Sequence, residues 1–409
     1  MKMMTRYEIK KMIAKKSSKI ALLILAATIV IVCYFACDVT YVNSQGETEE
    51  GPSAVAKLRK MQKEWEGILT EETIAKVIAE NHKIVLSPEY QSNDITQQDI
   101  AYSKGQGFME IRELINRSYA DDFSSYDYYK TDSLKESDAS KFYTNRLQLL
   151  KTWLDTEADN RYSDKEKNYI TRQYEEPETP FYYDYAKGWS QLFEYAATII
   201  MITMLVLGFI TSGIFSNEFA WKADSIFFSS YHGRNRAIVA KLGAGTIVVT
   251  VVYFMAVFLY SIVTLGFLGT DGWDCPIQIL RWKTIYNIKI WQEYILIVVA
   301  GYIGCLFFSC LCMLVSAKTK SAVISVILPF VFLFLPSFLG GISSQTVSEI
   351  LGLLPDQLLQ VDLVLAYFNV YDIGSRVFSE LAVLMLLYPL LTVALFPATY
   401  IVYKKKQAG

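Results

Sequence analysis

Histidine occurs only twice in the 409 residues, at His82 and His232, and neither HExxH nor GxSxG is present. Zinc-hydrolase and serine-hydrolase readings, which need those spacings to set metal ligands or a nucleophile on one element, are excluded. A GxxxxGK[ST] loop is missing too: the 51–57 segment has Gly51 and Lys57 but neither the second Gly nor a following Ser or Thr. No phosphate-cradling motif is therefore readable in this chain. Cysteine is absent from the longest polar stretch, 38–190, and all six (Cys33, Cys37, Cys275, Cys305, Cys310 and Cys312) lie in or beside apolar runs. Neither a disulfide framework nor a zinc-ligand set is visible, and packing is their expected use. Charge is missing from the centres of the long apolar runs, and no internal repeat is visible. Both absences weigh against a proton- or sodium-driven carrier, whose coupling carboxylates sit near the membrane midplane.

What is present is a sharp partition. Six apolar runs, 20–37, 192–215, 238–268, 294–315, 322–339 and 381–403, are each of about the 20 residues that cross a hydrocarbon core. Residues 1–19 hold seven Lys and Arg against the single acid Glu8 and lead into the first run, which is longer than a signal-peptide core. An uncleaved first span with its N-terminus in the cytoplasm is expected. That orientation puts sixteen Lys and Arg on the inner side, including Lys222, Arg234, Arg236, Lys241, Lys318, Lys320 and the tail Lys404 to Lys406. The short outer connections carry only Arg281, Lys283, Lys289 and Arg376, as the positive-inside rule requires.

The same orientation makes the polar block extracytoplasmic. It carries 19 Lys and Arg and 29 Asp and Glu, yet Trp, Tyr and Leu recur through it, so it is expected to fold as a mostly helical domain. Helical spacing runs over 54–66, 71–81, 107–119, 139–156 and 164–174. The cluster Phe181, Tyr182, Tyr183, Tyr185 and Trp189, and the set Trp273, Trp282, Tyr286 and Trp291, read as outer interfacial aromatics. Glu194 and Glu293 read as headgroup-level carboxylates near the outer ends of their spans. Segment 341–379 is apolar but interrupted by Pro355, Asp356, Gln357, Gln360 and Asp362, which predicts short helices lying on or dipping into the outer leaflet. No polar constellation marks the outer halves of the runs, which counts against a lipid-modifying enzyme. Gly208, Ser212 and Ser216, Gly243 and Gly245, and Gly301 with Cys305 permit close helix approach, within the chain or in a dimer.

Between the second and third runs lies 217–241, NEFAWKADSIFFSSYHGRNRAIVAK, too polar for lipid and too short for a domain. In its first half Glu218, Lys222 and Asp224 interleave with Phe219, Trp221, Ile226, Phe227 and Phe228, the pattern of a short amphipathic helix. The order of features resembles the type-two ABC (ATP-binding cassette) exporter permeases: an acidic residue closing the second span, a short helix, a small-residue turn with Arg, and an Ala–Lys pair opening the third. The large insertion after the first span resembles the subset that exports sodium, peptides or antibiotics.

The resemblance implies an all-α polytopic membrane protein with six transmembrane helices and both termini in the cytoplasm. It would be partitioned as 1–37 (basic leader and first helix), 38–190 (extracytoplasmic helical domain) and 191–409 (five-helix transmembrane domain). It further implies a non-enzymatic permease subunit of a bacterial plasma membrane with no nucleic-acid partner and no cofactor of its own. ATP and Mg would sit on a separate ATPase subunit, engaged through Glu218, Trp221, Ser225, Phe227, Phe228, Arg234 and Arg236, and a second permease copy or paralogue would complete a dimer. The alternative is a membrane-anchored sensor or interaction protein that acts through its ectodomain without transport.

Overall fold

A computed structural model describes residues 2–339 and 345–406 of the chain. Positions 341–344 of the expected outer-leaflet segment 341–379 lie outside the described residues. In chain order the helices are α1 (Lys2–Ile13), α2 (Lys16–Ala36), α3 (Gly51–Lys63), α4 (Glu71–Val85), α5 (Ile95–Gly105), α6 (Met109–Ser118), α7 (Phe142–Asp155), α8 (Asp164–Glu175), α9 (Lys187–Ala220), α10 (Asp224–Ser229), α11 (Arg236–Leu268), α12 (Ile290–Thr319), α13 (Ala322–Leu339), α14 (Gln345–Leu351), α15 (Val361–Val364) and α16 (Glu380–Lys404). Three two-stranded antiparallel ladders complete it: β1 (Tyr41–Val42) with β2 (Thr48–Glu49), β3 (Gly67–Ile68) with β4 (Tyr182–Tyr183), and β5 (Val370–Ile373) with β6 (Arg376–Ser379).

Among the described residues five helices, α2, α9, α11, α12 and α16, are long and apolar enough to cross a membrane, and they mark the chain as a membrane protein. The run expected over 322–339 forms α13, but Pro329 and Pro336 interrupt it and its apolar helix, Ala322–Pro336, is shorter than the other five. The hub of the bundle is α9 and α12, whose most apolar stretches are 72% and 61% buried, against 28% for α2 and 22% for α16. Close approach of α12 to both α9 and α11 explains the small-residue positions. A Cβ on Gly208 would meet the Phe308 ring at 2.4 Å, one on Gly301 would meet the Tyr253 hydroxyl at 2.6 Å, and one on Gly245 would meet the Met313 sulfur at 2.6 Å. Ser216 N–H donates to Ser316 Oγ at 3.1 Å in the same seam. Small side chains at these positions serve packing inside the chain, where a methyl would push the helices apart.

The polar block sits on the end of the bundle where α9 begins. Its helices fall close to the expected ranges, and α5 is an addition because its 95–105 sequence has little apolar periodicity. Capping fixes several starts: Thr70 accepts from Thr73 N–H, and Ser163 and Glu166 form a reciprocal capping box at α8. The block is locked to the bundle through the connection 269–289. Arg146 is the bolt, buried and donating to the carbonyls of Tyr174 at 2.9 Å, Trp282 at 3.1 Å and Thr284 at 3.3 Å. Asp271 takes Arg59 at 2.5 Å and Lys63 at 3.0 Å. Burial pushes the Asp271 carboxyl up, but the hydrogen bonds from Arg59 and Lys63 outweigh it and hold it below the ordinary carboxylate range.

This docking corrects the aromatic-belt reading. Trp282 is 3% exposed and packs on Phe142, Tyr143 and Phe181, and Phe181, Tyr183, Tyr185 and Trp189 are buried as well. Only Trp273 of the second set is exposed. The sequence pattern of an interfacial aromatic and of one beneath a docked domain is the same, because both follow the end of an apolar helix. Segment 345–379 forms the expected short helices, α14 and α15, packs on α12 and α16, and adds the β5–β6 hairpin, which turns around Gly374 at φ 70°.

Candidate functional site

The four basic segments that the sequence scatters along the chain meet at the end of the bundle opposite the polar block. Residues 2–13, expected only as a basic leader, form the helix α1, which lies against α9 and α11 with Met12 buried. The last turn of α9 supplies Glu218, 4% exposed, and the second turn of α11 supplies Lys241, 0% exposed. Lys241 Nζ donates to Glu218 Oε1 at 2.8 Å and to the Ile214 carbonyl at 2.8 Å, and lies 3.3 Å from Glu8 Oε2. Lys11 of α1 donates to the same Glu218 oxygen at 2.6 Å. Two acids and two lysines thus tie three helices together at one point, while Glu218 Oε2 stays buried without a partner. A buried charge persists only when paired in this manner.

The loop between α9 and α11 is built on that clamp. Lys222 takes a left-handed conformation, φ 56°, and ends α9, with Ala223 N–H closing back on the Glu218 carbonyl at 2.8 Å. α10 follows, six residues long. Gly233 then makes the return: a Cβ there would stand 1.8 Å from the Phe227 carbonyl oxygen, so only glycine fits. Arg234 straps the turn to the other chain terminus, donating to the carbonyls of Lys404 at 3.2 Å and Lys406 at 3.1 Å and covering the Phe228 ring. Lys406 in turn donates to the Lys318 carbonyl at 2.7 Å.

The seven residues singled out in the sequence are divided by this geometry. Glu218 and Phe228 face inward, Phe228 packing at 6% exposure on Phe219 and Tyr403. Phe227 is half-buried on Tyr403, with Lys241 over its ring, and Arg234 is spent on backbone carbonyls. Trp221, Ser225 and Arg236 stay exposed, Trp221 under the ammonium groups of Lys11 and Lys15. The surface open to a partner is therefore Trp221, Ser225 and Arg236 together with Ile226 and Tyr231, 74% and 93% exposed. Sequence reasoning gave Tyr231 and Tyr403 no role. Glu8, the lone acid in a run of seven basic residues, was the available signal that α1 packs on something buried and cationic.

The opposite end corrects a second expectation. Glu293 does not snorkel: it is 0% exposed, with Arg281 Nε donating to Oε1 at 2.8 Å and Oε2 unpartnered. Glu380, 1% exposed, accepts from Asn369 Nδ2 at 2.6 Å on one oxygen and nothing on the other. Asp356 accepts from Gln357 Nε2 at 2.9 Å and likewise leaves Oδ1 buried and bare. Each of these acids is met by a donor close to it in sequence, Arg281 at Glu293, Asn369 at Glu380 and Gln357 at Asp356. Among the described residues no group of His, Cys, Asp and Glu is placed to hold a metal ion. Comparison of the chain with protein-family models, with curated proteins and with solved structures finds no match.

Proposed function

We propose that this chain is the permease subunit of an ABC exporter, with the 221–235 loop as the surface that a separate ATPase subunit grips. The observation that carries the reading is mechanical. The loop presents Trp221, Ile226 and Tyr231 outward, while its base is fixed by the Glu218–Lys241–Lys11 clamp and its return by Arg234 on the 404–406 backbone. A push on α10 is therefore delivered to α1, α9, α11 and α16 together and is not absorbed by a slack loop. Large exposed aromatics beside Arg236 suit a protein groove.

In this reading the chain spans a bacterial plasma membrane six times, α13 being the short fifth span, with both termini and the loop in the cytoplasm and the polar block outside. The ATP and Mg belong to the ATPase, and a second permease copy or paralogue completes the pathway. The cargo class that suits spans with uncharged centres is amphipathic or apolar: peptide, antibiotic, lipid or drug.

The test is isolation of the tagged chain from its native membrane in mild detergent. A Walker-motif ATPase is expected in roughly equal amount, and Trp221→Ala with Ile226→Ser is expected to cut its recovery by about tenfold while the thermal unfolding profile stays unchanged. Wild-type chain that brings down no ATPase sinks the proposal. A second reading, a membrane-anchored receptor acting through the polar block, is favoured by the cavity described next and predicts that empty pull-down.

A further inference from the structure

The polar block holds a cavity of about 330 Å³ between α4, α5 and α6, walled by Tyr90, Tyr102, Phe108, Tyr128 and Tyr129. Arg112 also lines it and is 5% exposed. A buried guanidinium carries five N–H donors that need acceptors. Arg112 has one good acceptor: Nη2 donates to Asp132 Oδ1 at 3.1 Å, whereas Nη1 meets only the Met109 sulfur at 3.9 Å and Nε has no partner. Asp132 is well supplied by comparison, accepting also from Asn81 Nδ2 at 2.8 Å and the Tyr90 hydroxyl at 3.2 Å. The polar deficit in this cavity is of acceptors, and the ring of Tyr128 stacks 4.5 Å from the guanidinium carbon.

The cavity is not isolated. Tyr102 and Met109 also border two adjoining cavities of about 370 and 240 Å³, whose walls include Ser190 in the first and Lys187 and Gln191 in the second. Those three residues open α9, so the cavities that adjoin the aromatic chamber reach the polar end of a membrane-length helix. Molecules that concentrate at such a boundary are amphipathic. A volume of about 330 Å³ lies at the small end of ligand sites, which are mostly apolar with few placed polar groups.

We propose that this chamber is a binding site for a small amphipathic molecule with a flat apolar body and one anionic group. The body stacks among the tyrosines and the anion accepts hydrogen bonds from Arg112. The proposal does not rest on the ATPase-driven reading and survives its failure.

The test titrates full-length protein in lipid nanodiscs with naphthalene-1-acetate and with its uncharged amide by calorimetry, with empty nanodiscs as the blank. Saturable binding of the acid is expected, with the amide weaker by about tenfold or more. Gly105→Leu should abolish it by filling the chamber, since a Cβ there meets Ile84, Phe108 and Met109 at ordinary contact distances of 3.5, 3.8 and 3.9 Å. Tyr102→Ala, at a wall position 46% exposed, is the second variant, expected to weaken the acid and the amide alike. Arg112→Lys keeps the charge beside Asp132 but loses the guanidinium fork and should weaken the acid alone. Equal affinity for acid and amide overturns the proposal. So does the absence of saturable binding to wild type, or binding that a folded Gly105→Leu and a folded Tyr102→Ala both leave intact.

Discussion

At the end of the bundle where α1, the 221–235 loop and the C-terminal lysines meet, the buried Glu218 carboxylate has two lysines on a single oxygen. At the end beneath the polar block, Glu380 has one amide from Asn369, Asp356 has one from Gln357, and only Glu293 has a cation, Arg281. The first arrangement is a clamp, because removing either charge strands the other in a dry place. The second leaves two buried carboxylates, Glu293 and Glu380, and the half-buried Asp356 each with a bare oxygen, an arrangement sensitive to where protons go. One end of the molecule is held by charges paired across three helices, and the other keeps carboxylate oxygens without partners.

The strongest way to break this contrast is Glu218→Leu, which leaves Lys11 and Lys241 without their shared acceptor. A loss of about 3–5 kcal/mol in stability is expected, measured by denaturant unfolding in detergent. Adding Lys241→Met to Glu218→Leu should recover part of it, and a strictly additive double variant would show that the pair is not a unit. Arg281→Met at the other end is expected to cost less, about 1–3 kcal/mol, since Arg281 is itself 18% exposed and water can reach the vacated side of Glu293. A cost equal to that of Glu218→Leu would erase the difference between the two ends.

The smallest effect is a pH dependence. Burial pushes the Asp356 carboxyl up to about 6. A raised acid pKa means that the folded chain holds its proton more tightly than the unfolded one, so this contribution is full below the ordinary carboxylate value of about 4 and is lost as pH rises to about 6. Asp356→Asn should therefore raise the Tm at pH 7 and leave it near the wild-type value at pH 4. A variant that lowers Tm at both pH values would show Asp356 to be paired in the folded state.

Much of the architecture was legible because membrane spans are written locally: an apolar run of sufficient length needs no distant partner to be recognised. The 238–268 run became α11 to its last residue, and 322–339 became α13. The helices of the polar block were legible for the same reason, their apolar residues recurring at helical spacing. The aromatic belt misled because Trp282 and Phe181 look alike beside lipid and beside a docked domain, and contacts distant in sequence distinguish the two: Phe142 on the Trp282 ring and Arg146 on its carbonyl, more than a hundred residues away. Within the 217–241 loop the amphipathic pattern was visible, but its inward and outward faces were not. Phe228 went inward because Tyr403, at the far end of the chain, offers it a ring to pack on.

By itself, then, the sequence determined where the long helices run, that basic residues concentrate in short segments flanking the apolar runs, and that a helical polar block follows the first long apolar helix. Each of those is a property of neighbouring residues acting through hydrophobic length and helical period. The tertiary structure alone decided that Glu218, Lys241, Lys11 and Glu8 form one clamp, that Glu293 meets Arg281, and that Arg112 faces an aromatic chamber. Those pairings join residues up to 233 positions apart. A charge in a dry interior selects whichever partner the packing of whole helices brings within reach, and no local pattern records that choice.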